Sequence, residues 1–293
     1  MIRATEFSGA VERAAPAKLN LYLHVIGRRE DGYHLLDSLV AFADIGDRVI
    51  ARASDRLSLT VEGPFAATLQ GPQADNLIWR TARALAARAG IEPKAALTLD
   101  KNLPVASGIG GGSSDAAATL SALAELWELD LNDARFADLA SSLGADVPVC
   151  LYGKTAWLGG IGEQIVPAFA LPPVAVVLVN PGIPLPTPAV FKARNGAFSN
   201  TARFEDVPRD ASALAVLLHE RRNDLAEPAI RLAPVIAEVL RALEETDGAL
   251  LARVSGSGAT CFALFETMAI AEVAAAELRD SHLGWWVASG RLL

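Results

Sequence analysis

The clearest chemical signal in this sequence is one short run: Pro104-Val105-Ala106-Ser107-Gly108-Ile109-Gly110-Gly111-Gly112-Ser113-Ser114. Four of the five residues from Gly108 to Gly112 are glycine, which lets the backbone adopt positive φ and approach a ligand closely. Ser113 and Ser114 are suitable N-caps for an Ala-rich helix predicted from about Ser114 to Trp127. A helix N-terminus presents free N–H groups at the positive end of its dipole, and glycine amides wrapped around it form a cradle for phosphate. A flexible linker is the plainer reading. Linkers, however, rarely run straight into a capped helix, and this run is apolar on both flanks. The chemistry indicated is binding of a nucleotide's phosphates.

Familiar signatures are absent. Gly153-Lys154-Thr155 ends like a P-loop, but Pro148 stands where its first glycine belongs. Gly108 and Gly110 lack the third glycine of a dinucleotide fingerprint, because Ser113 holds that position. There is no protein-kinase catalytic loop or DFG. His219-Glu220 is not half of a zinc motif, since Asn223 replaces the second histidine.

Several single residues break their surroundings. Lys18 interrupts an apolar alternation at the start of a strand, and Asp146 follows a helix stop in Gly144-Ala145-Asp146-Val147-Pro148, between apolar segments where an idle carboxylate would be costly to bury. Taken alone, Lys18 could be a surface lysine and Asp146 a turn or cap residue. Tyr33 and His34 follow a turn signal, Asp31-Gly32. Lys101 precedes the glycine run at the end of a strand, where a solvated lysine is also ordinary, and Asn76 could be only a helix cap.

The composition sets the frame for these residues. The chain has 293 residues, 52% hydrophobic and 20% charged, which suits one large or two medium globular domains with ample core. A net charge of -8 argues against general nucleic-acid binding, yet leaves room for a local anion pocket. Cys150 and Cys261 each lie in an apolar stretch and read as buried free thiols, which fits a cytoplasmic location. The N-terminal stretch carries Arg3, Glu6, Glu12 and Arg13 with no apolar core between them, so no signal peptide is expected. The most apolar run, Val174–Val179, is far shorter than the roughly 20 residues that span a bilayer, and no membrane role is expected.

The elements that must position these residues begin with β structure: strands at 17–25, 35–43, 48–52 and 57–61. Asp75 is expected to cap a helix running through Ala89 and closed by Gly90. A strand at 95–99 leads into the glycine run and its helix. Asn132 or Asp133 is expected to start a helix ending near Leu143, stopped by Gly144; strand pieces follow at 147–152 and 155–158. The Pro-rich stretch 168–173 marks the best boundary, dividing the chain into domains 1–167 and 168–293. Beyond it come a strand at 174–179, helices at 211–221, 230–245 and 268–278, and strands at 250–254 and 260–265 flanking a Gly-Ser turn. Without strict βαβ alternation, the class is α+β.

Three segments together resemble the GHMP family of small-molecule kinases: Pro16-Ala17-Lys18-Leu19-Asn20-Leu21, the glycine run, and Val254-Ser255-Gly256-Ser257-Gly258-Ala259-Thr260. Their order and span cover nearly the whole chain. Asp31-Gly32-Tyr33-His34, Gly144–Pro148 and Pro186-Thr187-Pro188 narrow the resemblance to the branch that acts on a cytidyl diphosphate in isoprenoid precursor synthesis. Two departures stand out: Asp115 follows the serine pair where many relatives carry Asn, and Leu185 precedes Pro-Thr-Pro. The resemblance implies an N-terminal α/β domain with a left-handed crossover, a smaller ferredoxin-like domain, and an active site in the cleft between them.

The resemblance also implies roles. Asp146 would be the general base that takes the proton of the acceptor hydroxyl, with Lys18 the cation that steadies the developing charge. Pro104–Ser114, Lys101, Asn76 and Leu77 would bind ATP, accompanied by Mg²⁺ whose protein ligands stay open, with Ser113 or Ser114 as candidates. Tyr33 would stack on the cytosine, His34 would hydrogen-bond its edge, and Asn20, Thr187 and Pro188 would line the acceptor pocket. Ser255–Gly258 would close the phosphate site as a second wall, or be a plain hairpin turn. No obligate protein partner is expected. Two other readings remain: a GHMP kinase for another alcohol, such as homoserine or a mevalonate derivative, and a non-catalytic sensor on the same scaffold. Asp31-Gly32-Tyr33-His34 weighs against the first, and the presence of both Lys18 and Asp146 against the second.

Overall fold

The structure, a computed structural model, describes residues 9–69 and 71–293. Arg3 and Glu6, read above as part of a polar N-terminal stretch, lie outside the described residues. In chain order the elements are β1 (Val11–Arg28), β2 (His34–Arg52), β3 (Ser58–Glu62), α1 (Leu77–Ala89), β4 (Ala96–Asp100), α2 (Gly111–Leu126), α3 (Leu139–Leu143), α4 (Val147–Tyr152), β5 (Ala156–Gly159), β6 (Gln164–Pro167), β7 (Ala175–Asn180), α5 (Thr187–Ala193), α6 (Ala211–His219), α7 (Ala226–Leu232), α8 (Val235–Glu244), β8 (Leu251–Val254), β9 (Cys261–Phe265), α9 (Met268–Ser281) and β10 (Trp286–Arg291). The α+β class is as expected from the sequence.

The chain divides into two compact units. The first comprises the described residues to Ala15, Gly46–Leu103 and Gly112–Leu151; the second comprises Pro16–Ile45, Pro104–Gly111 and Tyr152–Leu293. In the first unit the end of β2 pairs antiparallel with β4, Val49 opposite Leu99, and β3 pairs parallel with β4, Leu59 opposite Leu97. A parallel pair joined through a helix buries both faces. Here α1 is that helix, burying Ile78, Ala82, Leu85 and Ala86 at helical spacing. Helix α2 is Ala-rich and buried on most of its surface, from Ala116 to Ala124.

In the second unit the start of β2 pairs with β5, and β5 with β6. A separate antiparallel sheet runs β10-β7-β9-β8. Alternate residues Val177, Val179, Cys261, Ala263 and Phe265 send one face of it into a core shared with Ile236, Val239 and Leu243 of α8 and Ala271, Ala274 and Leu278 of α9. Both cysteines are buried and free. Among the described residues, no helix is long and apolar enough to cross a membrane.

Some sequence expectations need correction. The two strands expected at 35–43 and 48–52 are one continuous strand, β2. Asn76, not Asp75, caps α1: its side chain accepts the N–H of Ile78, while Asp75 sits in a short 3₁₀ turn. Helix α2 starts at Gly111, so Ser113 and Ser114 lie within its first turn and do not cap it. The expected strand at 147–152 is helix α4, too short for its β-branched residues to decide its conformation against the surrounding packing. The expected helix 230–245 is two helices, α7 and α8, separated at Pro234, which cannot supply the N–H that a continuous helix needs. The helix expected to end at Leu143 is a 3₁₀ turn, Ala134–Phe136, capped by Asp133, followed by α3. β6, α5 and β10 were not anticipated.

Candidate functional site

In the second unit, the N-terminal motif, the glycine loop and the C-terminal Gly-Ser turn form one connected set. Lys18 lies on β1, which pairs with β2, and is almost fully buried. Its backbone N–H donates to the carbonyl of Ile109 at 2.9 Å, locking the strand to the loop. The loop takes positive φ at Gly108 and Gly110, at +76° and +64°. Ala106 also holds a positive φ, +53°, a conformation that disfavours any residue with a Cβ. Its exposed position and strain are typical of a loop shaped for a ligand.

The turn Ser255–Gly258 presses directly on the loop. A Cβ at Gly108 would stand 2.6 Å from the carbonyl oxygens of Ser255 and Gly258, so only glycine fits. The Ser255 hydroxyl donates to the carbonyl of Gly108, and the N–H of Thr260 donates to that of Ser107. Asn223, not singled out by the sequence, holds the turn from behind, its amide donating to the carbonyls of Val254 and Gly256. The turn is thus a buttress of the loop, more than a plain hairpin. Asn20 donates its side-chain amide to Ser38 and its backbone N–H to the Ser255 hydroxyl, while its Oδ1 is buried without a hydrogen-bond partner among the described residues. A buried acceptor left open is costly unless something fills it. That makes Asn20 Oδ1 an available acceptor for a ligand hydroxyl.

An aromatic group belongs to the same unit. Tyr33 is 60% exposed, and the turn before it is held by Asp31, whose carboxylate accepts the Tyr33 N–H. His34 stacks on Phe191 of α5, ring centroids 5.1 Å apart at 24°. Burial, then the charges of Arg28 and Arg194, lower the His34 pKa from its ordinary value. The imidazole is therefore neutral at pH 7, with one nitrogen able to donate and the other to accept. Phe191 escaped the sequence reading, although it follows Thr187 by four residues on one helical face. Thr187 and Pro188 are exposed at the start of α5, and the Thr187 hydroxyl bonds the Ser257 hydroxyl at 2.8 Å.

The first unit holds the remaining residues. Asn76 caps α1, and Leu77 is its first residue. Asp146 is half-buried immediately before α4. A Cβ at Gly144 would be 3.9 Å from Ser113 Oγ, so the Gly144–Asp146 turn neighbours the serine pair. Ser114 is buried and donates to Cys150.

Lys101 is not a solvated strand-end residue. It is 2% exposed and its ammonium sits between Asp47 at 2.5 Å and Asp115 at 2.8 Å. Burial lowers its pKa, but the two carboxylates outweigh that and hold it above the ordinary value. Burial, opposed by Lys101 and aided by Asp47, pushes Asp115 up to about 7. The two directions agree once the charges are counted: one ammonium faces two acids.

A two-unit α+β chain with a glycine-rich loop, braced by a second Gly-Ser turn and set beside a buried lysine, has the build of a small-molecule kinase. The chain belongs to the GHMP kinase family: residues 76–154 match the GHMP kinases N terminal domain and residues 199–282 the GHMP kinases C terminal. Membership brings ATP as the phosphoryl donor. The curated relatives include the 4-diphosphocytidyl-2-C-methyl-D-erythritol kinase of Rhodospirillum rubrum, 54% identical over 97% of this chain and 93% of the relative. That of Ruegeria pomeroyi is also 54% identical, over 97% of this chain and 100% of its own. A crystal structure of 4-(cytidine 5'-diphospho)-2C-methyl-D-erythritol kinase superimposes with TM-score 0.78 at 37% identity, covering 96% of this chain and 98% of that one. A homoserine kinase from Cytophaga hutchinsonii shares the fold, with TM-score 0.72 at 18% identity over 100% of this chain and 97% of that one.

Proposed function

We propose that this chain transfers the γ-phosphoryl group of ATP to the 2-hydroxyl of 4-diphosphocytidyl-2-C-methyl-D-erythritol, a step of isoprenoid precursor synthesis. The observation that carries the reading is the buried Lys18 beneath the glycine loop, within a chain alike over its whole length to kinases named for that substrate. Residues 168–173 fall between the two family matches, which supports a sequence-level division into domains 1–167 and 168–293. Two buried free thiols support a cytoplasmic location.

Phosphoryl transfer asks the protein for position and charge more than covalent work. The amides of Ser107–Gly112 cradle the nucleotide phosphates. Asp146 accepts the proton of the acceptor hydroxyl as its oxygen attacks the γ-phosphorus and ADP leaves. Lys18 stabilises the charge on the oxygens. Asn20 Oδ1 takes a hydrogen bond from the acceptor, and Tyr33, His34 and Phe191 hold the cytosine. Thr187 and Pro188 line the acceptor side, while Asn76 and Leu77 border the adenine.

Mg²⁺ supplies charge neutralisation on nucleotide phosphates in this chemistry. Among the described residues, no group of three His, Cys, Asp or Glu side chains could hold a metal. Ser113 or Ser114, in the first turn of α2, would be the residue to help hold the ion beside the phosphates.

The deciding experiment incubates the protein with ATP and the cytidyl substrate and identifies the product by phosphorus NMR and mass spectrometry. Transfer to that substrate with kcat/KM well above that for homoserine or mevalonate supports the reading. Preference for either alternative alcohol, or no transfer to any, overturns it.

A further inference from the structure

The strand entering the phosphate loop and the helix leaving it are tied together by a buried cluster. Asp47 of β2 does three things at once: one carboxylate oxygen accepts the N–H groups of Asn102 and Leu103, at 2.6 and 2.7 Å, and the other accepts the Lys101 ammonium. Lys101 in turn reaches Asp115 in the first turns of α2. Lys101, Asp47 and Asp115 are all at least 95% buried. The chain leaves this cluster at Leu103, makes the loop, and returns to it at Asp115.

We propose that Asp47, Lys101 and Asp115 act as a clamp that fixes the two ends of the phosphate loop, so that nucleotide affinity depends on Asp47, and that Lys101 works as a positioning residue with its charge spent inside the protein. This inference rests on the kinase reading above. Three observations carry it. The Lys101 ammonium is already bonded to two carboxylates, so swinging it toward a nucleotide would strand both of them in a buried site. Asp47 binds the backbone at the last two residues before Pro104, where a change in strand direction would displace the whole loop. Asp115, in the first turns of α2, accepts the same ammonium at 2.8 Å, so the far end of the loop is held to the residue that anchors its near end.

The charged groups that face Asp115 are Lys101 and Asp47. Because the folded protein holds the Asp115 proton more firmly than the unfolded chain does, stability from this group is present at acid pH and is lost as pH rises toward and through about 7. Asp115→Asn removes the titration while keeping an acceptor for Lys101.

The test measures ATP affinity by calorimetry, the separate KM values for ATP and the cytidyl substrate, and thermal melting from pH 5 to 8. It uses the wild type, Asp47→Asn, Lys101→Met, the double variant and Asp115→Asn. The clamp predicts that Asp47→Asn and Lys101→Met each weaken ATP binding at least tenfold, that the double variant loses little more than either, and that the acceptor KM stays within twofold. It also predicts that Asp115→Asn flattens the decline in melting temperature between pH 5 and 8. Lys101→Met weakening ATP while Asp47→Asn does not would mean that Lys101 contacts the nucleotide directly, and would overturn the clamp. Equal losses for ATP and acceptor would reduce the cluster to general structure, overturning it too. Should the Lys101 and Asp47 variants fail to fold, Asp47→Glu, which keeps the charge but lengthens the arm that holds Asn102 and Leu103, takes their place: a folded Asp47→Glu protein with unchanged ATP affinity overturns the proposal. Failure of the wild type to bind ATP would count against the kinase reading itself, a separate outcome.

Discussion

Gly110 rests against the side chain of Lys18: a Cβ added at Gly110 would stand 3.1 Å from Lys18 Cβ and 3.6 Å from both its Cδ and its Cε. The glycine therefore serves two purposes. It supplies φ of +64°, and it leaves room for the lysine stem beneath the loop. Gly110→Ala meets a left-handed conformation that disfavours a Cβ by about 1–2 kcal/mol, and it must push the lysine aside. The expected outcome is a folded protein melting a few degrees lower, with kcat/KM reduced about tenfold or more, since each 1.36 kcal/mol is a factor of ten in rate. Gly110→Val should go further and abolish ATP binding. Thermal melting with steady-state kinetics checks this; a folded Gly110→Val protein with unchanged ATP affinity would detach the loop from nucleotide binding.

Much of this arrangement was legible in the sequence because glycine is legible. Gly108 and Gly110 announce positive φ, Gly90 ends α1 in the left-handed conformation expected of it, and Lys18 stands out among apolar neighbours. What was not legible depends on long-range partners. Asp47 reads as a turn residue beside Gly46, and nothing local says that it meets Lys101 fifty-four residues later. Lys101 reads as a nucleotide ligand or a solvated strand end until its two acids are found. Phe191 draws no notice in the sequence, and only the fold stacks it on His34. The stretch 147–152 reads as a strand because Val147 and Val149 favour one, and the packing that makes it helix is tertiary.

Tyr33 offers an exposed ring beside the His34–Phe191 stack. A base stacked on an aromatic side chain is worth about 1–3 kcal/mol. Tyr33→Ala should therefore raise KM for the cytidyl substrate about ten- to a hundredfold and leave KM for ATP nearly unchanged. The two KM values measured side by side decide the matter. A rise confined to ATP would place Tyr33 on the donor side.

In the role proposed for it, His34 would set a pH limit on recognition. Its folded pKa is lowered by burial and then by Arg28 and Arg194, below the ordinary 6.5. For a base whose folded pKa is depressed, the unfolded chain takes the proton first, so its contribution to stability is held above the unfolded value and lost as pH falls below it. The same neutral ring would bind the cytosine edge. KM for the cytidyl substrate should be flat from pH 8 to about 6.5 and climb on further acidification, while KM for ATP serves as the internal control. His34→Gln should raise KM at every pH and remove the climb. A pH-independent KM in the wild type down to pH 5 would separate His34 from base recognition.

Asp146 is half-buried just before α4, beside the turn that neighbours Ser113. In the role proposed for it, Asp146→Asn keeps the shape of the side chain and removes its capacity to accept a proton. Positioned acid–base groups contribute about 10²–10⁴-fold in rate, so kcat should fall at least that far with both substrates still bound. Lys18→Met removes a positive charge from the same step and should also lower kcat, while its backbone bond to the loop is kept. Two groups acting on one transfer are not additive: once either is gone, the other has less transition-state charge to act upon. The double variant should therefore lose less in kcat than the product of the single losses. The check is a double-mutant cycle on kcat, with affinity for each substrate followed by calorimetry. If Asp146→Asn keeps nearly full kcat, proton acceptance by Asp146 is not part of the mechanism. Transfer would then rest on the loop amides and on Lys18, and the Lys18→Met loss would have to appear undiminished in the Asp146→Asn background.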